Sequence, residues 1–239
     1  MKVLFLLLLY LLGNVSTYSQ DKLKVYLLPG DGSDYRIFNK FSLDSTKYDT
    51  VHIQYPIPKK HDTFNSYAAT ILEQVDTTEK FVLVGVSLGG MISTEMEKLS
   101  NPEKVILISA PENKNELPMR YNFMKYVHIN KFFPGFVLKS FSFPAQTITE
   151  PDRKRESETF NKMLKDKKAL FLRRTINMII NWDKTDKSEK VIQIHGDNDN
   201  TVPIKNLKPE YTLVGGSHMM ALTEGEAISK LIERILSER

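Results

Sequence analysis

A serine between two glycines is the first feature of this sequence that could do chemistry. Residues 81 to 92 read FVLVGVSLGGMI, so Ser87 follows an apolar run and precedes a stretch that can form a helix. A serine held at a sharp strand-to-helix turn can act as a nucleophile, and small neighbours let other backbone approach. Packing alone could also explain the glycines. The pattern Gly85-x-Ser87-x-Gly89 therefore indicates catalysis only if a base and an acid are found elsewhere.

Two later segments contain side chains that could activate a serine. HGDNDNTVP covers residues 195 to 203, and GGSHM covers residues 215 to 219. A serine hydroxyl needs a base to take its proton, and an imidazole base needs an acid behind it to fix its tautomer. His218 lies in a glycine-flanked loop and is the candidate base. Asp199 and Asp197 are both candidates for the acid at this point.

The other four histidines and the competing motifs do not indicate a metal site or a nucleotide-binding site. The remaining histidines are predicted to be structural: His52, His61, His128 and His195. The acidic run begins like a calcium-binding loop, but Val202 and Lys208 stand where such a loop needs glycine and glutamate. No phosphate-binding Gly-x-x-x-x-Gly-Lys-Ser/Thr is present, and Gly30-x-Gly32 lacks the third glycine of a dinucleotide fingerprint. We therefore expect no cofactor and no metal.

Each candidate residue follows a stretch with the pattern of a buried strand. Continuous apolar runs that end in turn residues are typical of a parallel sheet covered on both faces. Such runs occupy residues 24–28, 50–54, 81–86, 104–109, 191–195 and 211–214. Helical spacing is predicted for residues 34–41, 63–75, 88–99 and 222–237. This alternation predicts an α/β fold, with a mostly parallel sheet of about six strands and helices on both faces.

The alternation stops between residues 112 and 189, where no convincing strand is found. The parts before and after this segment are too small to be separate domains, which indicates an insertion. We therefore expect a core formed by residues 20–111 and 190–239. The inserted segment, residues 112–189, is predicted to be a helical cap.

The predicted cap is basic and contains aromatic stretches. It has 16 Lys and Arg residues against 10 Asp and Glu residues, and helical patterns cover residues 115–136 and 151–183. Phenylalanines are concentrated at residues 132–138 and 141–144. This composition is compatible with a lid whose aromatics pack onto the core. It is also compatible with an apolar acyl pocket that has a basic rim.

Residues 1–19 have the composition of a secretory signal peptide. Lys2 precedes an unbroken apolar run from Val3 to Leu12, and small polar residues follow it. We expect cleavage after Ser19 and a secreted or periplasmic product without a membrane span, because the run is short for a bilayer. An uncleaved anchor is the alternative. The sequence has no cysteine, which excludes disulfides and a thiol nucleophile, and a net charge of +4 does not indicate nucleic-acid binding.

Taken together, these motifs resemble the α/β-hydrolase superfamily, whose members have serine, acid and histidine in this chain order. The resemblance rests on LLPGDGSD, GVSLGGM, HGDNDNTVP and GGSHMM, and it covers nearly all of the chain beyond residue 19 except the cap. It implies a small bacterial-type serine hydrolase that lacks two leading antiparallel strands. The His-Gly-x-x-Asp pattern of the superfamily assigns the acid to Asp199, with Asp197 as the alternative.

The resemblance also implies which groups would hold an oxyanion. One donor would be the backbone N–H of Leu88, directly after the nucleophile, and the other that of Asp31, after the first strand. Relatives more often have an apolar or small residue at the second position. A carboxylate beside a developing oxyanion is unfavourable unless it points away or is paired, for example with a cation of the cap.

The sequence therefore predicts a secreted hydrolase of a carboxylic ester or thioester. Ser87 would attack, His218 would transfer the proton, and Asp199 would orient His218. The expected partner is a small-molecule acyl substrate of apolar or anionic character, and the oligomeric state is not indicated. An acyltransferase or a C–C or amide hydrolase remains an alternative, because fold and triad do not decide among them. A weakly catalytic ligand-binding module is an alternative from another class.

Overall fold

The computed structural model describes residues 22–126 and 151–238. The predicted signal peptide and the two phenylalanine-rich stretches of the cap lie outside these residues. Within the described ranges the centre is a six-stranded parallel sheet with strand order β2-β1-β3-β4-β5-β6. The strands are β1 Leu23–Leu28, β2 Tyr48–His52, β3 Phe81–Val86, β4 Lys104–Ile108, β5 Val191–Gly196 and β6 Tyr211–Leu213. The predicted α/β fold with a parallel sheet is confirmed.

Helices connect the strands and cover the sheet. The α-helices are α1 Phe64–Leu72, α2 Leu88–Leu99, α3 Met119–Tyr126, α4 Ser157–Asp166, α5 Ala169–Ile180, α6 Met220–Thr223 and α7 Gly225–Ser237. Short 3-10 turns occupy Tyr35–Phe38, Lys114–Glu116, Arg153–Glu156 and Ile204–Asn206. None of the helices in the described ranges combines the length and the hydropathy that crossing a bilayer requires.

The central strands are apolar along their length because protein covers both faces of the sheet. Every residue of β3 is buried, and so is β4 from Val105 to Ile108. Helix α2 packs beside them through Ile92 and Met96, which are fully buried. Burying apolar surface contributes about 25 cal/mol per Å², so this region supplies much of the folding free energy. The central strands and α2 therefore form a well-packed core. The loops described below follow the ends of these strands.

The described part of the segment between β4 and β5 contains helices and no strand. Two buried glutamates connect its ends with each other and with the sheet. Glu112 accepts a hydrogen bond from the Ser188 amide at 2.7 Å. Glu116 accepts from Lys187 Nζ at 2.7 Å and from Gln193 Nε2, on β5, at 2.8 Å. These contacts hold the beginning and the end of the segment side by side.

Two predicted helices are shorter or divided in the structure. The region 34–41 contains only the 3-10 turn Tyr35–Phe38, because the Asp34 carboxylate takes up the Arg36 amide and closes a tight turn. The region 151–183 is broken between α4 and α5, where Lys167 and Lys168 have extended backbone. Neither lysine is a helix-breaking residue, so periodicity could not locate this bend.

Candidate active site

Ser87 occupies the sharp turn between β3 and α2. Its backbone has φ 51° and ψ −114°, a conformation that is uncommon for a residue with a side chain. Its amide donates to the Ile108 carbonyl at 3.0 Å, which anchors the turn to β4. Ser87 keeps part of its surface exposed, whereas Leu88 behind it is buried. The strained turn therefore presents the serine at the carboxyl edge of the sheet.

The glycines beside Ser87 are required by close backbone contacts. A Cβ atom on Gly85 would lie 2.4 Å from the Gly89 carbonyl carbon, and one on Gly89 would lie 2.1 Å from the Leu28 carbonyl oxygen. Real Cβ atoms do not approach backbone so closely, so larger residues would push β1, β3 and α2 apart. The packing explanation of the glycines is therefore correct, and the same packing positions Ser87.

The structure brings Ser87, His218 and Asp199 into one hydrogen-bonded chain. His218 Nε2 lies 3.0 Å from Ser87 Oγ, and His218 Nδ1 lies 2.9 Å from Asp199 Oδ2. A carboxylate accepts only, so Nδ1 carries the proton, and the unprotonated Nε2 can accept from the serine hydroxyl. Asp199 is 3% exposed and His218 is 8% exposed. His218 Nε2 is thus placed to accept the proton of Ser87, and His218 and Asp199 are shielded from solvent.

The two candidate aspartates have different partners. Asp199 Oδ1 accepts from the amides of Thr201 and Val202 at 2.9 and 2.7 Å, which leaves Oδ2 directed at His218. Asp197 is exposed, and its Oδ1 accepts from the Gly215 amide at 2.6 Å. Asp197 therefore braces the loop that carries His218, while Asp199 contacts the imidazole itself.

The surroundings of Asp199 favour its ionised form. Burial by itself would raise the pKa of this carboxyl, but the electrostatic attraction and hydrogen bonds of His218 and His195 outweigh burial. The pKa of Asp199 is held well below its usual range. Asp199 is thus an anion at any pH at which a serine hydrolase would work, as the orienting acid must be.

His195, which the sequence predicts to be structural, lies beside Asp199. It is fully buried at the end of β5, with Nε2 2.7 Å from the Val202 carbonyl oxygen and 3.3 Å from Asp199 Oδ2. The carbonyl can only accept, so the proton is on Nε2. Its place immediately before Gly196, at a strand end that also carries the acid, is the signal that could have found it.

The loop after β1 lies against the serine turn. A Cβ atom on Gly30 would be 3.3 Å from Ser87 Cβ, so Asp31, the next residue, is close to Ser87. The Tyr55 hydroxyl donates to the Pro29 carbonyl at 3.0 Å and helps to fix the loop. Leu88 is the first residue of α2, and its N–H is one of those that a helix start leaves without an intrahelical acceptor.

The Asp31 side chain extends from this loop to helix α5. Its Oδ1 accepts from Thr175 Oγ1 at 2.9 Å, so the carboxyl has a polar partner in the segment between β4 and β5. Burial raises the pKa of Asp31 to about 6, against the opposing effects of Thr175, Lys167 and the Gly32 amide. The side chain keeps some accessible surface but is surrounded closely enough by protein to lose much of its hydration.

The other predicted structural histidines do not join this cluster within the described ranges. His52 ends β2 and contacts the rings of Tyr35 and Phe38, and burial lowers its pKa. His61 is exposed, and His128 lies outside the described residues. Within residues 22–126 and 151–238, no three His, Cys, Asp or Glu side chains are grouped as metal ligands would be.

A groove of about 1320 Å³ lies at the amino ends of the strands, opposite the carboxyl ends that carry Ser87. Residues at the beginning of strands line it, including Leu23, Tyr48, Val82 and Lys104. The serine, histidine and aspartate cluster lies instead at the carboxyl ends of the strands, where ligands bind in open α/β sheets. The groove is therefore separate from the candidate active site.

Comparison with known proteins identifies the fold. No protein-family model matches the chain, and no curated protein is similar to it in sequence. Solved structures do match: an enol-lactonase from Burkholderia xenovorans has a TM-score of 0.67 at 14% identity, with 92% of this chain and 94% of that one covered. A thermophilic esterase from Thermogutta terrifontis has a TM-score of 0.60 at 13% identity, with 90% and 89% covered.

A lipase-esterase related protein from Clostridium acetobutylicum gives a similar result. Its TM-score is 0.63 at 15% identity, and 90% of this chain and 95% of that chain are covered. These identities are low, so the likeness concerns the fold. The chain has the α/β-hydrolase fold, as the resemblance in its motifs predicts.

Proposed function

We propose that this α/β-hydrolase-fold chain is a serine hydrolase that cleaves a carboxylic ester or thioester through an acyl-enzyme on Ser87. The observation that carries the proposal is the hydrogen-bonded chain from Ser87 Oγ through His218 to Asp199, with 3.0 and 2.9 Å between neighbouring atoms. The strained serine turn and the buried, anionic aspartate support the same roles. The similarity to esterases and a lactonase agrees with it.

In the proposed acylation step, Ser87, His218 and Asp199 have separate roles. His218 Nε2 takes the proton from Ser87 Oγ while this oxygen attacks the substrate carbonyl carbon. Asp199 keeps the other ring nitrogen protonated and stabilises the imidazolium. The tetrahedral intermediate then collapses, the bond to the alcohol or thiol breaks, and His218 gives its proton to the departing group.

Deacylation follows the same steps, with water as the attacking group in place of Ser87. His218 removes a proton from a water molecule, the resulting hydroxide attacks the acyl carbon, and Ser87 Oγ leaves with the proton from His218. In both steps the negative charge on the carbonyl oxygen needs fixed donors. We assign this role to the backbone N–H groups of Leu88 and Asp31.

Covalent labelling tests the nucleophile directly. A fluorophosphonate probe should label the wild-type protein on Ser87, identified by mass spectrometry, and Ser87→Ala should not be labelled. Ser87→Ala should also lower kcat on a p-nitrophenyl ester by a factor on the order of 10⁴ to 10⁶. Ser100→Ala, at the other end of α2, is the matched control and should keep both properties. Activity of Ser87→Ala within tenfold of wild type would refute the assignment.

The proposed bond specificity needs its own measurement. A panel of esters and thioesters of increasing acyl length, with matched amides, reports which bond is cleaved. Hydrolysis of the esters but not the amides supports the proposal. Product formed mainly by transfer to an added alcohol would instead indicate an acyltransferase. An unlabelled wild-type protein with no turnover would favour a ligand-binding role.

We also propose that the chain is exported, on the basis of the composition of residues 1–19. The mature chain would begin at Gln20. N-terminal sequencing of protein from the culture medium or periplasm tests this proposal. An intact Met1 on protein in the membrane fraction would indicate an uncleaved anchor instead.

A further inference from the structure

Asp31 and Thr175 connect the loop after β1 with helix α5. Asp31 belongs to the loop after β1 and follows Gly30, where an added Cβ atom would lie 3.3 Å from Ser87 Cβ. Thr175 belongs to helix α5 and is completely buried. Their hydrogen bond, 2.9 Å from Oγ1 to Oδ1, spans 144 positions of the sequence. It therefore ties the segment between β4 and β5 to the loop that would hold the oxyanion.

The Thr175 hydroxyl has a choice of acceptors. Besides Asp31 Oδ1, the carbonyl oxygens of Phe171 and Leu172 each lie 3.0 Å from Oγ1. A hydroxyl has one proton, so it can donate fully to only one of the three. An ionised carboxylate is the strongest of these acceptors. At a pH well above 6, where Asp31 is charged, the proton should be directed at Asp31.

Other groups around the link do not replace it. The positive charge of Lys167 acts on Asp31, but burial lowers the pKa of Lys167. Tyr55 is half-buried near Asp31, and its hydroxyl donates to the Pro29 carbonyl on the same loop as Asp31. Tyr55 also stacks on Phe171 of α5, with ring centroids 6.1 Å apart. The loop therefore contacts helix α5 directly through Asp31 and Thr175, and indirectly through Tyr55, which follows β2.

We propose that Asp31 and Thr175 form a positioning link through which helix α5 fixes the oxyanion-holding loop relative to Ser87. The inference rests on the proposed hydrolase function. It explains why a carboxylate stands at a position where charge would otherwise oppose the oxyanion: the side chain is directed to α5 while the backbone N–H serves the site. Thr175 acts through Asp31 and does not contact the reacting atoms.

The consequence for catalysis concerns the transition state. A loop that loses its link can still bind the ground-state ester, but its N–H is less well placed for the oxyanion, and small displacements of this kind are costly. Loss of the link should therefore lower kcat and leave KM nearly unchanged. A purely structural role for Thr175 would lower the melting temperature without this separation of kcat from KM.

The test compares Thr175→Val with Thr175→Ser on one p-nitrophenyl ester at pH 8. Valine has the shape of threonine without the hydroxyl, and we expect kcat to fall about tenfold with KM within twofold. The Thr175→Ser variant keeps the hydroxyl and should have at least half of the wild-type kcat. Equal losses in the two variants, or a change confined to KM, would overturn the proposal.

A double-mutant cycle adds a check that does not depend on one variant. Asp31→Leu removes the acceptor, and Asp31→Asn, which keeps an acceptor oxygen, should lose less activity than Asp31→Leu. Adding Thr175→Val to Asp31→Leu should cause no further fall, because the link is already absent. Losses that multiply would show that the two residues act separately. Wild-type protein without turnover or fluorophosphonate labelling would contradict the hydrolase function itself, whereas an active wild type with independent losses contradicts only the link.

Discussion

Asp197 and Asp199 stand two positions apart in one loop, yet their chemistry differs because of what their oxygens contact. Two amides hold Asp199 Oδ1, and its Oδ2 meets His218. The Asp197 carboxylate reaches only the Gly215 amide among the hydrogen bonds described for it. The superfamily pattern points to Asp199, but loop composition alone would suit either residue.

We expect Asp199→Asn to reduce kcat by roughly 10⁴-fold, because an amide at this place favours the wrong imidazole tautomer. Asp197→Asn removes a charge but keeps an acceptor for Gly215, so its kcat should stay within a few-fold of wild type. Steady-state kinetics of both variants at one pH provide the comparison. The reverse order of effects would mean that Asp197 is the acid.

His195 should matter first for stability. His195→Leu would leave the Val202 carbonyl buried without its donor, and Asp199 would lose the nearby N–H. A buried polar group without a partner costs about 1–3 kcal/mol, so the free energy of unfolding at pH 7 should fall by about this amount. His195→Gln keeps an N–H and should recover part of the loss. Urea denaturation measures these free energies of unfolding. Equal stability of His195→Leu and wild type would show that the contacts of His195 contribute nothing to stability.

At the scale of single residues, the sequence identifies those that belong to local patterns. Ser87 and His218 stand beside glycines at strand ends, which makes them visible in the sequence. Thr175 has no such pattern, because its partner Asp31 is 144 positions away. Contacts of this kind are created by tertiary packing and leave no local trace.

Among the elements, the strands and helices that form the central layer were the most predictable. β3 and α2 have the bounds that the apolar runs predict, since burial on both faces demands continuous apolar sequence. The last helix is divided differently: 222–237 reads as one helix, but α6 ends at Thr223 and α7 begins at Gly225. A Cβ on Gly225 would lie 2.7 Å from Lys40 Cβ, so a tertiary contact fixes this junction.

The approach of β1 to α2 leads to a sharp prediction about glycine. A Cβ at Gly89 would meet the Leu28 carbonyl oxygen at 2.1 Å, so Gly89→Ala should force the two elements apart. We expect a loss of about 3 kcal/mol or more, or a protein that does not fold. The measurement is thermal or urea unfolding, together with fluorophosphonate labelling.

Gly215→Ala is the matched control for this effect. Gly215 has φ 76° but open space around its Cβ position, so alanine there meets only backbone strain. Its cost should be about 1 kcal/mol. If Gly89→Ala were no worse than Gly215→Ala, close packing at the serine turn would not explain the Gly-x-Ser-x-Gly pattern.

For the whole molecule, we consider how the sheet is connected to the segment that lies between β4 and β5. The sequence predicts such a segment between residues 112 and 189, because the strand pattern stops and resumes there. It could not show that buried carboxylates tie the two ends together. Glu112 and Glu116 are 4% and 5% exposed, and burial raises the pKa of Glu112. Charged residues are rarely buried in this way unless they are paired.

The last prediction concerns Glu116, which joins both ends of this segment to the sheet. Its carboxylate accepts from the Glu112 amide, from Gln193 Nε2 and from Lys187 Nζ, at 2.8, 2.8 and 2.7 Å. Glu116→Ala removes the acceptor of the buried Glu112 amide and one of the two acceptors of Gln193 Nε2, and should lower the free energy of unfolding by about 3 kcal/mol. Glu116→Gln keeps one acceptor oxygen and should lose about 1 kcal/mol.

Urea denaturation with Glu158→Ala as control completes this test. Glu158 forms an ion pair of 2.6 Å with Lys162, but both side chains are exposed, so this variant should leave the urea midpoint unchanged. Because the segment also carries Thr175, partial detachment in Glu116→Ala should lower kcat at urea concentrations below the main transition. A loss for Glu116→Ala no larger than that for Glu158→Ala would show that the buried carboxylate does not hold the segment to the sheet.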